Sequence, residues 1–256
     1  MQGAQARQWG RRAGGMPLII AHRGASARET ENTVEAFARA ASDEADGVEL
    51  DVLLCATGEV VVFHDDDLRR LGGRPERVAE LSWAALRRVA LPGGRRIPTL
   101  ADAFAACGRD LLVNVELKSG GFADPTVPGL VTAVAEVVEQ CGAASQVLVS
   151  SFDPGAVALW QRRRGDVPGA LLLDDEGALA RLKVLALPLL RPFAVHPPAA
   201  LCDAGLIDAW HAAGYAVNTW TVDDPDRLRA LRDVGVDGVI TNDPAVARAA
   251  LAARGK

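Results

Sequence analysis

His22 and Arg23 close the apolar run LIIAH (18–22) in a chain with only four histidines. A buried strand gains nothing by ending in a titratable ring and a cation unless both face something polar. Polar residues recur at comparable places elsewhere. GVELDV (47–52) carries Glu49 and Asp51, and LLVNVELKSG (111–120) carries Asn114, Glu116 and Lys118. YAVNTWTV (215–222) carries Asn218 and Trp220, and His64 follows the run EVVVF. Side chains two apart on a strand point the same way, so each set shares a face. Glu49, Asp51 and Glu116 brought together without compensation would repel and hold their protons more tightly. A divalent cation resolves that conflict, and oxygen-only ligands favour Mg2+ or Ca2+ over zinc. Arg23 and Lys118 add the positive charge that a phosphate needs. His22 and His64 supply a proton donor and acceptor near neutral pH. Metal-assisted phosphoryl chemistry with a histidine pair is the expectation.

Each of these residues also has a plainer reading. A lone histidine at a strand end is commonly a hydrogen-bonded structural group, and Glu116 with Lys118 makes a simple ion pair. The combination at one mouth is what favours chemistry. His196, before Pro197 and Pro198, either reaches that mouth or shapes a turn. His211 falls in a helical stretch and reads as surface, and Trp83 and Trp160 read as helix packing. Asn242-Asp243-Pro244 reads as a helix cap.

The elements that must hold these residues alternate. Eight short Val/Ile/Leu runs begin near residues 18, 47, 111, 146, 169, 193, 215 and 237. Helical patterns such as TVEAFARAASDE, PTVPGLVTAVAEVVEQC and PDRLRALRDV lie between them. FDPGAV, DDPDRL and NDPAVA each set Asp before Pro where a helix should open. Short doubly buried strands with helical crossovers predict parallel pairing. Eight such units predict an α/β chain folded as a TIM (β/α)8 barrel, with a doubly wound open sheet as the alternative. No GxGxxG follows the first strand, which weakens the nucleotide-binding form of that alternative. Residues 58–98 break the rhythm and predict a small insertion after the second strand, with a strand at EVVVFHD and a short helix opened by Ser82.

Composition narrows the class. The chain has 256 residues and 49% hydrophobic content, enough for one large α/β domain. A net charge of −5 with scattered basic residues gives no reason to expect nucleic acid. The four cysteines, Cys55, Cys107, Cys141 and Cys202, form no CxxC pair and suit a reducing, cytoplasmic compartment. No run is long enough for a membrane span. Residues 1–16 are expected to be a disordered N-terminal extension, and 17–256 a single barrel domain.

The ordered motifs AHRGAS, ENTVEAF, GVELDV, VVFHDDDL, IPTL, VELK, SSF, VNTWTV and GVDGVITNDP span about residues 18–245. In this order they resemble the glycerophosphodiester phosphodiesterase family. The resemblance implies His22 and His64 as general acid and base, without deciding which is which, and Glu49, Asp51 and Glu116 as ligands of one Mg2+ or Ca2+. It implies phosphate contact by Arg23 and Lys118, and a glycerol-side wall of Trp220 and Phe152. It also implies a first-strand loop supported by Glu31 and Asn32, with Asn32 orienting the phosphate-binding groups. The chain departs from the family pattern at Thr30 for Pro, at Leu71 for Thr, and at Leu53, Leu54 and Cys55 where a basic residue and a Thr are usual. The implied activity is metal-dependent hydrolysis of glycerophosphocholine-like diesters to sn-glycerol 3-phosphate and an alcohol, on a small-molecule substrate and without membrane insertion. Alternatives are a lysophospholipase D-like or phosphoinositide-cleaving relative, and a non-catalytic phosphate-binding barrel. An acyl chain would need an apolar path; the insertion offers Leu81, Trp83, Leu86 and Val89, but that stripe fits plain helix packing better.

Overall fold

A computed structural model describes residues 9–10, 15–121, 124–174 and 178–252, with side chains at 178–182 left out. Eight strands close into a parallel barrel. They are β1 (Leu18–His22), β2 (Gly47–Leu54), β4 (Leu112–Leu117), β5 (Val147–Ser151), β6 (Gly169–Leu172), β7 (Ala194–His196), β8 (Ala216–Thr219) and β9 (Gly238–Thr241). Pairing runs β1-β9-β8-β7-β6-β5-β4-β2 and closes through β1–β2, which is the expected TIM barrel. The remaining strand, β3 (Val60–Val62), is antiparallel to β2 and opens the insertion.

The helices are α1 (Val34–Ser42), α2 (Arg69–Gly72), α3 (Trp83–Leu86), α4 (Leu100–Cys107), α5 (Val127–Gln140), α6 (Pro154–Arg163), α7 (Ala178–Leu190), α8 (Ala204–Ala212), α9 (Pro225–Val234) and α10 (Pro244–Ala252). The Asp-Pro junctions act as the sequence suggests. Asp153 accepts from Gly155 N at the start of α6, Asp224 from Arg227 N at α9, and Asp243 from Val246 N at α10.

Alternation along the strands sorts the core into two layers. Val48, Leu50, Val52, Val113 and Val115 point outward and pack under α1, α4 and α5. Their neighbours Glu49, Asp51, Asn114 and Glu116 therefore point into the barrel. The lower interior is apolar, built from Leu18, Ile20, Leu148, Ala170, Ala194 and Ile240. Trp9 joins this cluster and is fully buried. Within the stretch expected to be a disordered extension, Trp9 packs against the barrel floor. Residues 1–8 and 11–14 lie outside the described residues.

The insertion builds a small core of its own from Val61, Phe63, Leu68, Val78, Leu86 and Ile97, among others. Leu53, Cys55 and Leu71, three of the departures from the family pattern, all go into this cluster. Leu81, Trp83, Leu86 and Val89 go there too, so the apolar stripe packs the insertion. Among the described residues, no helix is long and apolar enough to cross a membrane.

Candidate active site

The site forms where the strands end. The register β2–β4 sets Asp51 beside Glu116 and Glu49 beside Asn114, while β1–β2 sets His22 beside Glu49. A carboxylate oxygen from each of Glu49, Asp51 and Glu116 lies within 4.8 Å of the others. Glu49 and Asp51 are almost wholly buried, and the Glu116 side chain is 12% exposed.

Burial, followed by repulsion from Asp51 and Glu116, holds the Glu49 carboxyl well above its ordinary range. Burial and the charge of Asp51 push Glu116 up to about 7. Glu49 Oε1 is buried with no hydrogen-bond partner. An all-oxygen donor set, an unpartnered oxygen and carboxyls resisting ionisation together fit a hard divalent cation.

Cations of the chain itself flank this triad. Arg23 Nε is 3.3 Å from Asp51 Oδ2, and Arg23 N donates to Glu49 Oε2 at 3.0 Å. Lys118 Nζ lies 3.1 Å from Glu116 Oε1 and 3.4 Å from Asp51 Oδ1. Asn32 Nδ2 donates to Asp51 Oδ2 at 2.8 Å. Arg23 and Asn32 both adopt left-handed backbone, with φ of 54° and 56°. Such conformations persist only where surrounding contacts over-determine them, and they cluster at functional sites. Gly24 follows at φ 80°, and a Cβ there would stand 2.7 Å from Ala36. The turn after β1 thus tolerates only glycine where it presses on α1.

The two histidines line the same cavity and have different partners. His22 Nδ1 is 2.8 Å from Asn242 Oδ1, and its Nε2 is 4.0 Å from Glu49 Oε2. Burial and the adjacent Arg23 charge lower the His22 pKa below its ordinary 6.5. His64, just beyond β3, bonds through Nδ1 to Asp65 Oδ1 at 2.7 Å. His22, Arg23, Glu49, His64, Glu116, Lys118, Phe152 and Trp220 line one cavity of about 230 Å3, with Asn114 toward its floor. Phe152 and Trp220 meet edge to face with centroids 5.6 Å apart. The structure therefore brings all the predicted site residues together, Asn32 through Asp51 and the others at the cavity wall or its triad.

His196 does not reach the mouth as the sequence allowed. It is fully buried in the barrel, bonded to Asn218 at 3.0 Å, and burial pushes its pKa down to about 3. His211 is partly exposed and pairs with Asp237 at 2.8 Å. Sequence reasoning missed Asn242, Asp65 and Arg70. Asn242 sits beside a genuine cap, Asp243, and that role hid it.

Comparison with known proteins agrees with this geometry. The glycerophosphoryl diester phosphodiesterase family model matches residues 22–246. A glycerophosphodiester phosphodiesterase of Caldanaerobacter subterraneus subsp. tengcongensis is 31% identical over 235 residues, covering 89% of this chain and 94% of that protein. The crystal structure of the Thermotoga maritima glycerophosphodiester phosphodiesterase is 30% identical, with a TM-score of 0.75 over 90% of this chain and 96% of that one. An Oleispira antarctica phosphodiesterase, solved in complex with the product sn-glycerol-3-phosphate, shares the fold at a TM-score of 0.83, with 24% identity over 93% of this chain and 98% of that one. The match over residues 22–246 and the relative 31% identical across 89% of the chain show that the chain belongs to the glycerophosphoryl diester phosphodiesterase family and is a phosphodiesterase of that kind.

Proposed function

We propose that this enzyme hydrolyses small glycerophosphodiesters, such as glycerophosphocholine and glycerophosphoethanolamine, to sn-glycerol 3-phosphate and an alcohol. The reading assigns His22 as general base and His64 as general acid. It is carried by one observation: the two rings line the same cavity, and each is fixed by a different kind of Nδ1 partner.

The Asn242 amide faces His22 with its oxygen, because its Nδ2 donates to Asp223 Oδ2 at 2.6 Å. The His22 proton then sits on Nδ1, which leaves the Nε2 lone pair free to take a proton. The low proton affinity of His22 suits a base that must be neutral at physiological pH. His64 faces the carboxylate of Asp65 instead. A carboxylate on Nδ1 fixes the ring's orientation and its tautomer, so that Nε2 is the atom presented toward a leaving group.

In this scheme His22 Nε2 removes a proton from the attacking oxygen, which is either water, giving glycerol 3-phosphate directly, or the substrate's own glycerol hydroxyl, giving a cyclic phosphate that a water then opens to glycerol 3-phosphate. The phosphorus bond to the leaving alcohol breaks, and His64 Nε2 protonates the departing oxygen. Arg23 and Lys118 bind the phosphate oxygens and oppose the charge that develops on them. Glu49, Asp51 and Glu116 would hold one Mg2+ or Ca2+, which supplies Lewis acidity and charge neutralisation at a phosphoryl oxygen. Trp220 and Phe152 would pack against the glycerol carbons.

The test is release of glycerol 3-phosphate from glycerophosphocholine and glycerophosphoethanolamine with Mg2+, with Ca2+ and with EDTA. Release should require the cation and fall by about 10²–10⁴-fold in His22→Ala and in His64→Ala. Absence of release from both diesters, with the cation bound and the barrel folded, would overturn the substrate assignment and move the search to lysophospholipids.

A further inference from the structure

One side chain of the insertion bonds both to a carboxylate of the loop after β1 and to the carboxylate that holds His64. Arg70, in α2, donates Nη1 and Nη2 to the two oxygens of Glu31 at 2.8 and 2.7 Å. Its Nε donates to Asp65 Oδ2 at 2.7 Å. Both carboxylates already serve the site. Asp65 bonds His64 through its other oxygen, and Glu31 Oε1 accepts from Arg23 Nη1 at 2.8 Å.

We propose that Arg70 is a positioning residue that holds Asp65 against His64 and Glu31 against Arg23, so that one guanidinium ties the alignment of the histidine to that of the phosphate-binding arginine. This rests on the phosphodiester reading of the site given above.

The chemistry of the side chain suits the task. A guanidinium offers donors in a rigid plane, so it can bind one carboxylate bidentately and a second through Nε. An ammonium is a point charge and cannot fix both planes. Burial alone would raise the Glu31 and Asp65 carboxyls, yet both lie below their ordinary range because Arg70, with Arg23 at Glu31 and His64 at Asp65, outweighs it. Both therefore face their catalytic partners as anions. Glu31 sits on the loop after β1 and Asp65 in the insertion, so only Arg70 among the described residues bonds to both.

A merely structural ion pair would act differently. The Arg70 side chain is 45% exposed, and exposed pairs contribute little to stability. Removing Arg70 should therefore disturb the site and leave the fold intact.

The experiment compares wild type, Arg70→Met, Arg70→Lys, Asp65→Asn and Asp65→Asn/Arg70→Met. The first readout needs no turnover: ring 15N shifts of the full chain, with His64 assigned by its loss in His64→Gln. The shift of a carboxylate-bonded Nδ1–H should be lost in Arg70→Met and partly restored in Arg70→Lys. The second is kcat on glycerophosphocholine, expected to fall about 10–100-fold in Arg70→Met. The melting temperature should move by less than about 2 °C. Adding Arg70→Met to Asp65→Asn should cost kcat less than the product of the two single losses, since the variants share the Asp65 arm and only Arg70→Met also frees Glu31. An unchanged His64 signal in Arg70→Met overturns the proposal, and so do losses that multiply fully. If wild type turns over no diester while the His64 signal responds, the substrate reading fails and the positioning role stands.

Discussion

His22 and Asn242 are 220 positions apart in sequence and meet at 2.8 Å at the barrel mouth. The contact joins the end of β1 to the residue after β9, neighbours in the closed barrel. Asn242 is itself held by Asp223, through its backbone N–H at 2.7 Å and its side-chain amide at 2.6 Å. Ser26 donates to the same Asn242 oxygen at 2.9 Å. The oxygen that faces His22 is therefore fixed, and with it the ring's tautomer.

Replacing Asn242 tests that fixation. Asn242→Ala should lower kcat by about 10–100-fold, because the ring loses both orientation and tautomer. Asn242→Asp presents a carboxylate to Nδ1 and favours the imidazolium. The wild-type His22 pKa lies below its ordinary 6.5, so activity should rise with pH over an acidic window. In Asn242→Asp that rise should move to higher pH in the profile of kcat/KM. A rise left in place would mean that another group sets the limb.

The division of labour between the histidines can be separated by the leaving group. A nitrophenolate departs without a proton, so an ester of glycerol phosphate with nitrophenol makes a general acid unnecessary. On that substrate His64→Ala should recover most of the wild-type kcat, while His22→Ala should remain impaired by about 10²-fold or more. Recovery in His22→Ala alone would reverse the assignment.

The architecture was largely legible in the sequence. Short Val/Ile/Leu runs and Asp-Pro junctions located the eight barrel strands and several helix starts. Period-two alternation put Glu49 with Asp51, and Asn114 with Glu116 and Lys118, on shared faces. What could not be read was register across strands. Nothing local in GVELDV says that Asp51 meets Glu116, or that His196 ends a layer below the mouth while His22 lies in it. Second partners were equally hidden. Asp65 looks like one of three consecutive acids, and Arg70 like half of a solvated arginine pair. Only the folded insertion sets them against His64 and Glu31.

The carboxylate triad predicts how pH and cation couple to stability. Glu116 has a folded pKa of about 7, raised by burial and Asp51 from an ordinary 4.5. A raised carboxyl contributes stability fully below its unfolded pKa and loses it as pH rises through the folded value. Without cation, the protein should therefore lose melting temperature from this group between about pH 4.5 and 7. Glu116→Gln should flatten that loss and melt higher than wild type at pH 8 without cation. Mg2+ or Ca2+ at 100 times its Kd should stabilise the wild type by about 2.7 kcal/mol and should not stabilise the variant comparably. Calorimetry in buffers of different ionisation enthalpy should also show proton release on cation binding between about pH 5 and 7. A pH-independent difference between wild type and Glu116→Gln would contradict the coupling.

Trp9 gives a stability prediction at the other end of the barrel. Its side chain is fully buried against Leu18, Ile20, Leu148, Ala170, Ala194 and Ile240. Deleting a buried indole removes its transfer free energy and leaves a cavity, so Trp9→Ala should cost about 3–5 kcal/mol in denaturant unfolding. The indole N–H has no partner among the described residues. Losing an unsatisfied buried donor offsets part of the lost packing, so Trp9→Phe should cost only about 1–2 kcal/mol. The site stands at the opposite ends of the strands, and kcat should be unchanged wherever both variants remain folded. Equal stability of Trp9→Ala and wild type would show that the floor closes without the indole. A loss of kcat without loss of stability would instead mean that the floor and the mouth are coupled through the buried polar layer of Asn114, Ser150, His196 and Asn218 between them.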